Sequence, residues 1–157
     1  MKLISLTQGL FAQVDDWNYD WLNQWKWHAF KRRNTFYAAR HESRKIEGNK
    51  YILMHRIIMN TSDGMEVDHR DHNGLNCLEE NMRNCTHQNN TLNVKPWGRS
   101  KYLGVYWYTR DKCWRAQIKI NGKRYHLGYF KEETDAAKAY DRSAHIHHGE
   151  FANLNFK

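Results

Sequence analysis

The residues between Met65 and Asn90, MEVDHRDHNGLNCLEENMRNCTHQNN, bring Asp, His and Asn together with few apolar residues to bury. Hydrolysis of a phosphodiester needs a base that activates water and a cation that stabilises the charge building on the phosphate and the leaving oxygen. Asp68 and His69 are adjacent, so on a strand one can face a metal ion while the other faces the attacking water. A solvated loop is the alternative interpretation of this composition.

Two asparagines extend this candidate set. Asn81 follows twelve residues after His69, where its amide oxygen can bond the far ring nitrogen of His69 and fix the tautomer. Thr86 is a good N-cap, so a helix is predicted over THQNNTLN with Asn90 one turn in. Carboxylate and amide oxygens are hard ligands that suit Mg²⁺ or a similar ion.

The cysteines offer a weaker metal interpretation. The chain has three cysteines and no CxxC motif, which is not typical of a disulfide framework or a four-cysteine zinc site. Cys77 and Cys85 with His72 and His87 form an alternative zinc set, and we prefer the oxygen ligands above.

By residue order, these motifs resemble the HNH nuclease family. The resemblance covers about residues 52–94 and consists of MHRIIM, VDHRDHNGLNC, ENMR and THQNN. It implies a ββα-metal module in which His69 is the general base and Asn81 orients it. It also implies that Asp68 and Asn90 bind a divalent metal ion, with Mg²⁺ preferred and Mn²⁺ as the alternative.

A second segment has the composition of a polyanion-binding surface. The chain has a formal charge of +8, and residues 101–131 hold eight Lys or Arg against one Asp, with Tyr and Trp interspersed. Asn121-Gly122 predicts a type I′ hairpin within three strand-like runs. Alternation along these runs places one polar and aromatic set on a single sheet face: Tyr106, Tyr108, Arg115, Gln117, Lys119, Arg124 and His126.

This half of the chain resembles the plant Apetala/ethylene-response-factor DNA-binding domain. The matching motifs are YLGV, WRAQI, LGYF, AAKAYD and GEFANLNF, which cover nearly all of residues 101–157. The resemblance implies a three-stranded antiparallel sheet that packs on one helix and enters the DNA major groove. It therefore implies double-stranded DNA as the partner and the face described above as the DNA-binding surface.

The fold class expected from the whole sequence is α+β. Pro96 and Gly98 predict a boundary near residues 95–100. Residues 1–95 then hold a β-rich N-terminal extension and the nuclease module, and residues 101–157 form the second domain. Trp17, Trp21 and Trp25 at helical spacing are interpreted as core side chains. No apolar run approaches the ~20 residues of a membrane span.

The expected function is a metal-dependent DNA endonuclease of the homing or phage type, with a C-terminal domain that reads sequence. The alternative is a transcription regulator that uses an inactive nuclease fold as a scaffold, and an RNA-processing factor is a third interpretation. We expect an intracellular, cytoplasmic protein of a bacterial host, encoded by a phage or mobile element. A monomer is favoured, although the sequence leaves the oligomeric state open.

Overall fold

The computed structural model describes residues 1–32, 35–41 and 51–156. The chain divides into two compact units, Met1–His87 and Gln88–Lys157. Within the described residues it combines several small sheets with four α-helices, which confirms the predicted α+β class. The turn predicted between the strands that start at Thr35 and end at Leu53 lies on residues 42–50, outside the described residues.

The first unit is built from short strands joined by turns. Its strands are β1 (Lys2–Ser5), β2 (Phe11–Val14), β3 (His28–Arg32), β4 (Thr35–His41), β5 (Tyr51–Leu53), β6 (Glu66–His69), β7 (Asn76–Cys77) and β8 (Met82–Cys85). Its helices are α1 (Asp16–Leu22) and α2 (Met54–Ile58), and a one-turn helix, α3 (His87–Asn90), follows at the junction with the second unit.

The strands of the first unit form three sheets. β1 pairs antiparallel with β2, which pairs in parallel with the short β7. β3, β4 and β5 form an antiparallel sheet, and β6 pairs antiparallel with β8. The β6–β8 hairpin carries two of the candidate site residues, Asp68 and His69, which are the last two residues of β6.

The core of the first unit contains Trp27, whereas Trp17 and Trp25 of this unit are more exposed. Leu22 of α1 and Trp27 are buried with Ile4, Val14 and Met54. Trp17, in contrast, is 68% exposed, and Trp25 is 38% exposed. The interpretation of the helical tryptophans as core is therefore wrong for these two residues, since α1 ends at Leu22 and only its inner face packs.

The second unit contains the three predicted strands and the predicted helix. Its elements are β9 (Val105–Tyr108), β10 (Cys113–Ile120), β11 (Lys123–Phe130) and α4 (Glu133–His148). The Asn121-Gly122 turn has positive φ at both residues, 49° and 82°, as a type I′ turn requires. Ala136, Ala137 and Tyr140 of α4 are buried against the sheet, and the small side chains of the two alanines let the helix approach closely.

Strand β11 contains a bulge that the sequence analysis did not predict. Ala116 pairs with Gly128 while Gln117 pairs with His126, so Leu127 is an extra residue in β11. Gly128 has a φ of 132°, which glycine adopts without strain. The bulge changes the alternation of β11 beyond Leu127 and so decides which residues share the open face.

Candidate active site and nucleic-acid interface

His69 lies in a buried pocket of aromatic and histidine rings in the first unit. Its side chain is at the end of β6, and the residue is 6% exposed. The ring of His55, from α2, meets it edge to face with 5.1 Å between centroids. The ring of Tyr37, from β4, lies 5.8 Å from His69 and 5.0 Å from His55. Three elements distant in sequence therefore fix the position of this imidazole.

Burial keeps both histidines neutral near pH 7. It is the main cause that lowers the pKa of His69, while the charges of Asp71 and Asp68 act in the opposite direction. Burial also lowers the pKa of His55 to about 3, with the charge of His69 as the next cause. A neutral imidazole can accept a proton, which a general base must do. The Nδ1 atom of His55 is buried without a hydrogen-bond partner among the described residues.

Asp68 forms a buried ion pair with Arg83 across the hairpin. The two residues are direct partners in the β6–β8 register, and Asp68 is only 2% exposed. Its Oδ2 accepts a hydrogen bond from Nε of Arg83 at 2.8 Å and lies 2.7 Å from Nη2. The sequence analysis missed Arg83, because a cross-strand partner is visible only once the register is known.

Asn81 closes the loop that connects β6 with β7 and β8. Its side-chain oxygen accepts a hydrogen bond from the backbone N–H of Asp71 at 3.2 Å. Its side-chain nitrogen donates to Oδ1 of Asp71 at 3.0 Å and to the carbonyl of Asn76 at 2.9 Å. The amide thus stabilises the turn that directly follows His69, while the predicted bond from Asn81 to the His69 ring stays a prediction.

Asp71 is the centre of this loop, and the sequence analysis did not assign it a role. Its carboxylate accepts hydrogen bonds from the Asn73 backbone and from the side chains of Asn76 and Asn81. Burial raises the pKa of Asp71, but these three hydrogen bonds outweigh burial, so the pKa is lowered overall. The signal in the sequence was a run of Asp and Asn, which favours such turns.

The donor set proposed for the metal ion is chemically suitable for a hard cation. Asp68 offers a carboxylate whose Oδ2 already has a cationic neighbour, and Asn90 ends the one-turn helix α3. Asn90 belongs to the second unit, so its role as a ligand stays a prediction. Mg²⁺ usually takes one or two protein ligands and completes its shell with water and phosphate, and carboxylate and amide oxygens are ligands of the kind it prefers.

The alternative zinc set receives no support. Within the described residues, no group of three or more His, Cys, Asp or Glu is arranged to hold a metal ion. Burial raises the pKa of the Cys77 thiol to about 12 and that of Cys85 to about 11. Because zinc binds the thiolate, this effect of burial makes both thiols poorer zinc ligands.

The second unit presents the seven predicted DNA-facing residues on one face of its sheet. Directly paired residues share a face, and Arg115 pairs with Tyr106 while Gln117 pairs with His126. Lys119 pairs with Arg124, and Tyr108 lies two residues along β9 from Tyr106. α4 packs on the opposite face, which contains Val105, Ala116 and Ile118.

Tyr129 joins this face because of the bulge in β11. It pairs with Arg115 and is exposed. Its ring lies 4.5 Å from that of His126 and 5.4 Å from that of Tyr108. The sequence analysis missed Tyr129, since strict alternation assigns it to the covered face. Gly128 within a strand was the available signal, because such a glycine often marks a bulge.

Comparison with known proteins gives one similarity that spans nearly the whole chain. A protein of Acanthamoeba polyphaga mimivirus named as an uncharacterized HNH endonuclease is 28% identical over 153 residues. This match covers 98% of the present chain and 79% of the mimivirus protein. No protein-family model matches the chain.

A second group of similarities covers part of the chain. An APETALA2-like protein 2 of Oryza sativa and an AP2-like ethylene-responsive transcription factor of Arabidopsis thaliana are each 42% identical over 57 residues, or 36% of this chain. The chain spans only 13% and 12% of these plant proteins.

In the described part of the chain, no helix has the length and apolar character needed to cross a membrane. The chain is thus similar to an HNH endonuclease over nearly its whole length and to AP2-like proteins over about a third.

Proposed function

We propose that the protein is a metal-dependent DNA endonuclease that hydrolyses phosphodiester bonds in double-stranded DNA. The observation that carries this proposal is the position of His69, a buried and neutral imidazole at the end of a strand whose preceding residue is the carboxylate Asp68. The similarity to an HNH endonuclease over 98% of the chain supports the same class of enzyme.

His69 acts as the general base in this proposal. Its ring takes a proton from a water molecule that attacks the scissile phosphorus in line with the leaving 3′ oxygen. Burial favours the neutral ring that can accept this proton. His55 and Tyr37 hold the ring in place by packing against it. Asn81 orients His69, and its bonds to Asp71 and Asn76 also fix the loop after the base.

Asp68 and Asn90 are the residues that would hold a divalent metal ion, Mg²⁺ or Mn²⁺. When bound, such an ion stabilises the negative charge on the phosphate and the leaving oxygen. Arg83 holds the carboxylate of Asp68 in one orientation through two nitrogen atoms. The guanidinium thereby offers an opposite charge to a carboxylate that has almost no solvent contact.

The open face of the second unit supplies sequence recognition in this proposal. A nuclease site that contacts mostly the phosphate backbone carries little sequence information. Arg115, Lys119 and Arg124 can contact phosphates, while Gln117 has the amide that pairs with adenine in the major groove. The similarity to AP2-like proteins supports a DNA-binding role. We place the enzyme in the homing-type group, and the viral origin of its HNH relative supports a viral or mobile-element gene.

Plasmid cleavage followed by analysis of the product ends tests this function. Water attack with departure of the 3′ oxygen predicts nicked or linear DNA with 5′-phosphate and 3′-hydroxyl ends, in Mg²⁺ or Mn²⁺ and not with chelator. Cleavage that persists in chelator, or products with 3′-phosphate ends, would contradict the proposed mechanism.

A transcription regulator with an inactive nuclease fold is the second candidate, and the AP2-like similarity favours it. It predicts tight binding to a selected duplex with no cleavage of that same duplex in any divalent metal. The enzyme predicts binding in chelator and cleavage of the same site when Mg²⁺ is added. One selected duplex, tested under both conditions, therefore distinguishes the two functions.

A further inference from the structure

One face of the β3–β4–β5 sheet continues from the candidate base to an exposed group of rings. Tyr37, whose ring contacts His69, pairs directly with Phe30 of β3. His28 of the same strand pairs with Ala39, and His41 pairs with Tyr51. Directly paired residues and residues two apart share a sheet face, so these side chains form one continuous row.

Four of these side chains, His28, Phe30, His41 and Tyr51, form what we call the ring cluster. The rings of His28 and His41 stack with 5.3 Å between centroids. Those of Phe30 and Tyr51 stack at 4.9 Å. Tyr51 also contacts His41 at 4.8 Å. Ala39 lies between the strands under this row and has no exposed surface, so the rings form the outer layer.

The ring cluster is accessible and lies beside positive charge. His41 and Tyr51 are exposed, Tyr51 by 38%, while His28 and Phe30 are half-buried. Arg32, exposed at the end of β3, pairs with Thr35 on this same face. The pair Arg32–Thr35 follows the pair Phe30–Tyr37 in the register, so Arg32 lies at the end of this face where Tyr37 contacts the candidate base. Arg32, Tyr37 beside the candidate base, and the ring cluster therefore follow one another along this sheet face.

The distance from Tyr37 to the end of the ring cluster can be compared with the axial rise of duplex DNA. Tyr37 and His41 are four residues apart, or about 13 Å at roughly 3.3 Å per strand residue. Phosphates of one DNA strand follow at about 3.4 Å along the helix axis. For a duplex whose axis runs along β4, the exposed end of the ring cluster therefore lies roughly three to five base-pair steps from a phosphate bound at His69.

We propose that the ring cluster and Arg32 form a second DNA contact, in the nuclease unit, that binds the sugar–phosphate backbone of the duplex flanking the cut. This inference rests on the proposed function, since it takes His69 as the reacting centre. Imidazole N–H, tyrosine O–H and guanidinium groups are donors that proteins use for phosphates. The contact is separate from the open face of the second unit and positions the scissile phosphate without reading sequence.

The geometry favours the backbone over unstacked bases as the occupant. A base-stacking platform offers free aromatic faces to the nucleic acid. In the ring cluster, His28 and His41 cover each other at an interplanar angle of 23°, and Phe30 and Tyr51 do so at 30°. Ring edges with their polar atoms and the guanidinium of Arg32 remain for contact, which matches a chain of phosphates.

Hydroxyl-radical footprinting on a duplex selected by the wild-type protein tests this proposal. The protein is bound in chelator, so that the footprint does not depend on cleavage, and the cut position is mapped separately with Mg²⁺. The variants are His41→Ala/Tyr51→Ala and the single His41→Asp, which changes an exposed side chain only. Phe11→Ala is the matched control, because Phe11 is an exposed ring of the same unit on another sheet.

We expect wild type and Phe11→Ala to protect backbone positions roughly three to five steps from the cut on one side, and both His41 variants to lose that protection alone. The dissociation constant should rise roughly tenfold, as for the loss of one charge-assisted hydrogen bond. A wild-type footprint without protection there, or variant footprints identical to wild type, overturns the proposal. If none of the proteins cleaves DNA but the footprints change as expected, the nuclease function is refuted and the DNA contact remains supported.

Discussion

The rings of His55 and His69 meet edge to face, with 5.1 Å between centroids and 83° between their planes. His55 lies on α2, outside the β6–β8 hairpin that carries the candidate base. Both rings are buried, and burial lowers the pKa of each. The pocket therefore favours neutral imidazoles, and this preference has consequences for stability that can be measured.

Acid should destabilise the protein partly through His55. The pKa of His55 is about 3 in the folded state against an ordinary value of 6.5. Below pH 6.5 the unfolded chain binds this proton and the folded chain does not. The contribution of His55 to the unfolding free energy is therefore fully present above pH 6.5 and decreases as the pH falls toward 3. Between pH 7 and pH 4.5, wild type should lose about 2–3 kcal/mol more unfolding free energy than His55→Phe.

Urea unfolding at the two pH values measures this difference, and His147→Phe is the control because His147 is exposed on α4. The control should lose as much stability as wild type. Equal losses in wild type and His55→Phe would show that His55 takes up its proton in the folded state, contrary to the effect of burial.

Removal of Arg83 should cost more stability than removal of an exposed arginine. Arg83→Gln leaves the carboxylate of Asp68 buried without its ionic partner, at a cost of about 3–5 kcal/mol. The double variant Asp68→Asn/Arg83→Gln should recover much of this loss while remaining unable to cleave DNA. Denaturant midpoints of the two variants and of Arg70→Gln, which changes an exposed arginine directly after β6, provide the comparison. Additive losses in the double variant would show that the two side chains are not coupled.

We expect that Gly74 is required for the packing of Tyr37, because a larger side chain would not fit there, and not because of its backbone angle. A Cβ there would lie 2.5 Å from the Phe36 carbonyl oxygen and 2.7 Å from a ring carbon of Tyr37. Gly74→Ala should therefore displace Tyr37 from His69, lower the unfolding free energy by about 1–3 kcal/mol and slow cleavage.

Gly64→Ala is the control for this substitution. Gly64 has a φ of +80° and nothing within 4 Å of an added Cβ, so the change costs backbone strain of about 1–2 kcal/mol without moving the pocket. Its cleavage rate should remain close to wild type. If Gly74→Ala also cleaves at the wild-type rate, the contact of Tyr37 with His69 has no part in positioning the base.

Lys119 and Tyr129 should contribute to DNA binding in different ways. Lys119→Ala should remove the proposed phosphate contact on the open face, so the slope of log K against log salt should become less negative by about 1. Tyr129→Ala should weaken binding without a change in that slope, because the ring carries no charge. Lys138→Ala, an exposed change on α4, should leave both quantities unaltered. Salt titrations of a fluorescent duplex measure all three variants, and a slope change for Lys138→Ala equal to that of Lys119→Ala would contradict the assignment of the face.

The parts of the structure that follow local rules could be predicted from the sequence. The Asn121-Gly122 hairpin and the alanine-rich helix α4 depend on turn chemistry and periodicity, which neighbouring residues determine. The pairing of Arg83 with Asp68 and the packing of Tyr37 and His55 on His69 depend on register and on contacts across many residues. The bulge at Leu127, which brings Tyr129 to the open face, reverses the alternation used to assign that strand.

Single-turnover cleavage of a bound duplex by His69→Ala tests the role of the candidate base most directly. The variant is first shown to bind the selected duplex in chelator with the wild-type dissociation constant, and Mg²⁺ is then added to saturated complexes. Wild type and His145→Ala, which changes an exposed histidine of α4, should cleave, while His69→Ala should be slower by roughly 10²–10⁴-fold, the usual contribution of a general base. Cleavage by His69→Ala at the wild-type rate would contradict the assignment of His69 as the base, and binding by all three proteins without cleavage by any would contradict the nuclease function itself.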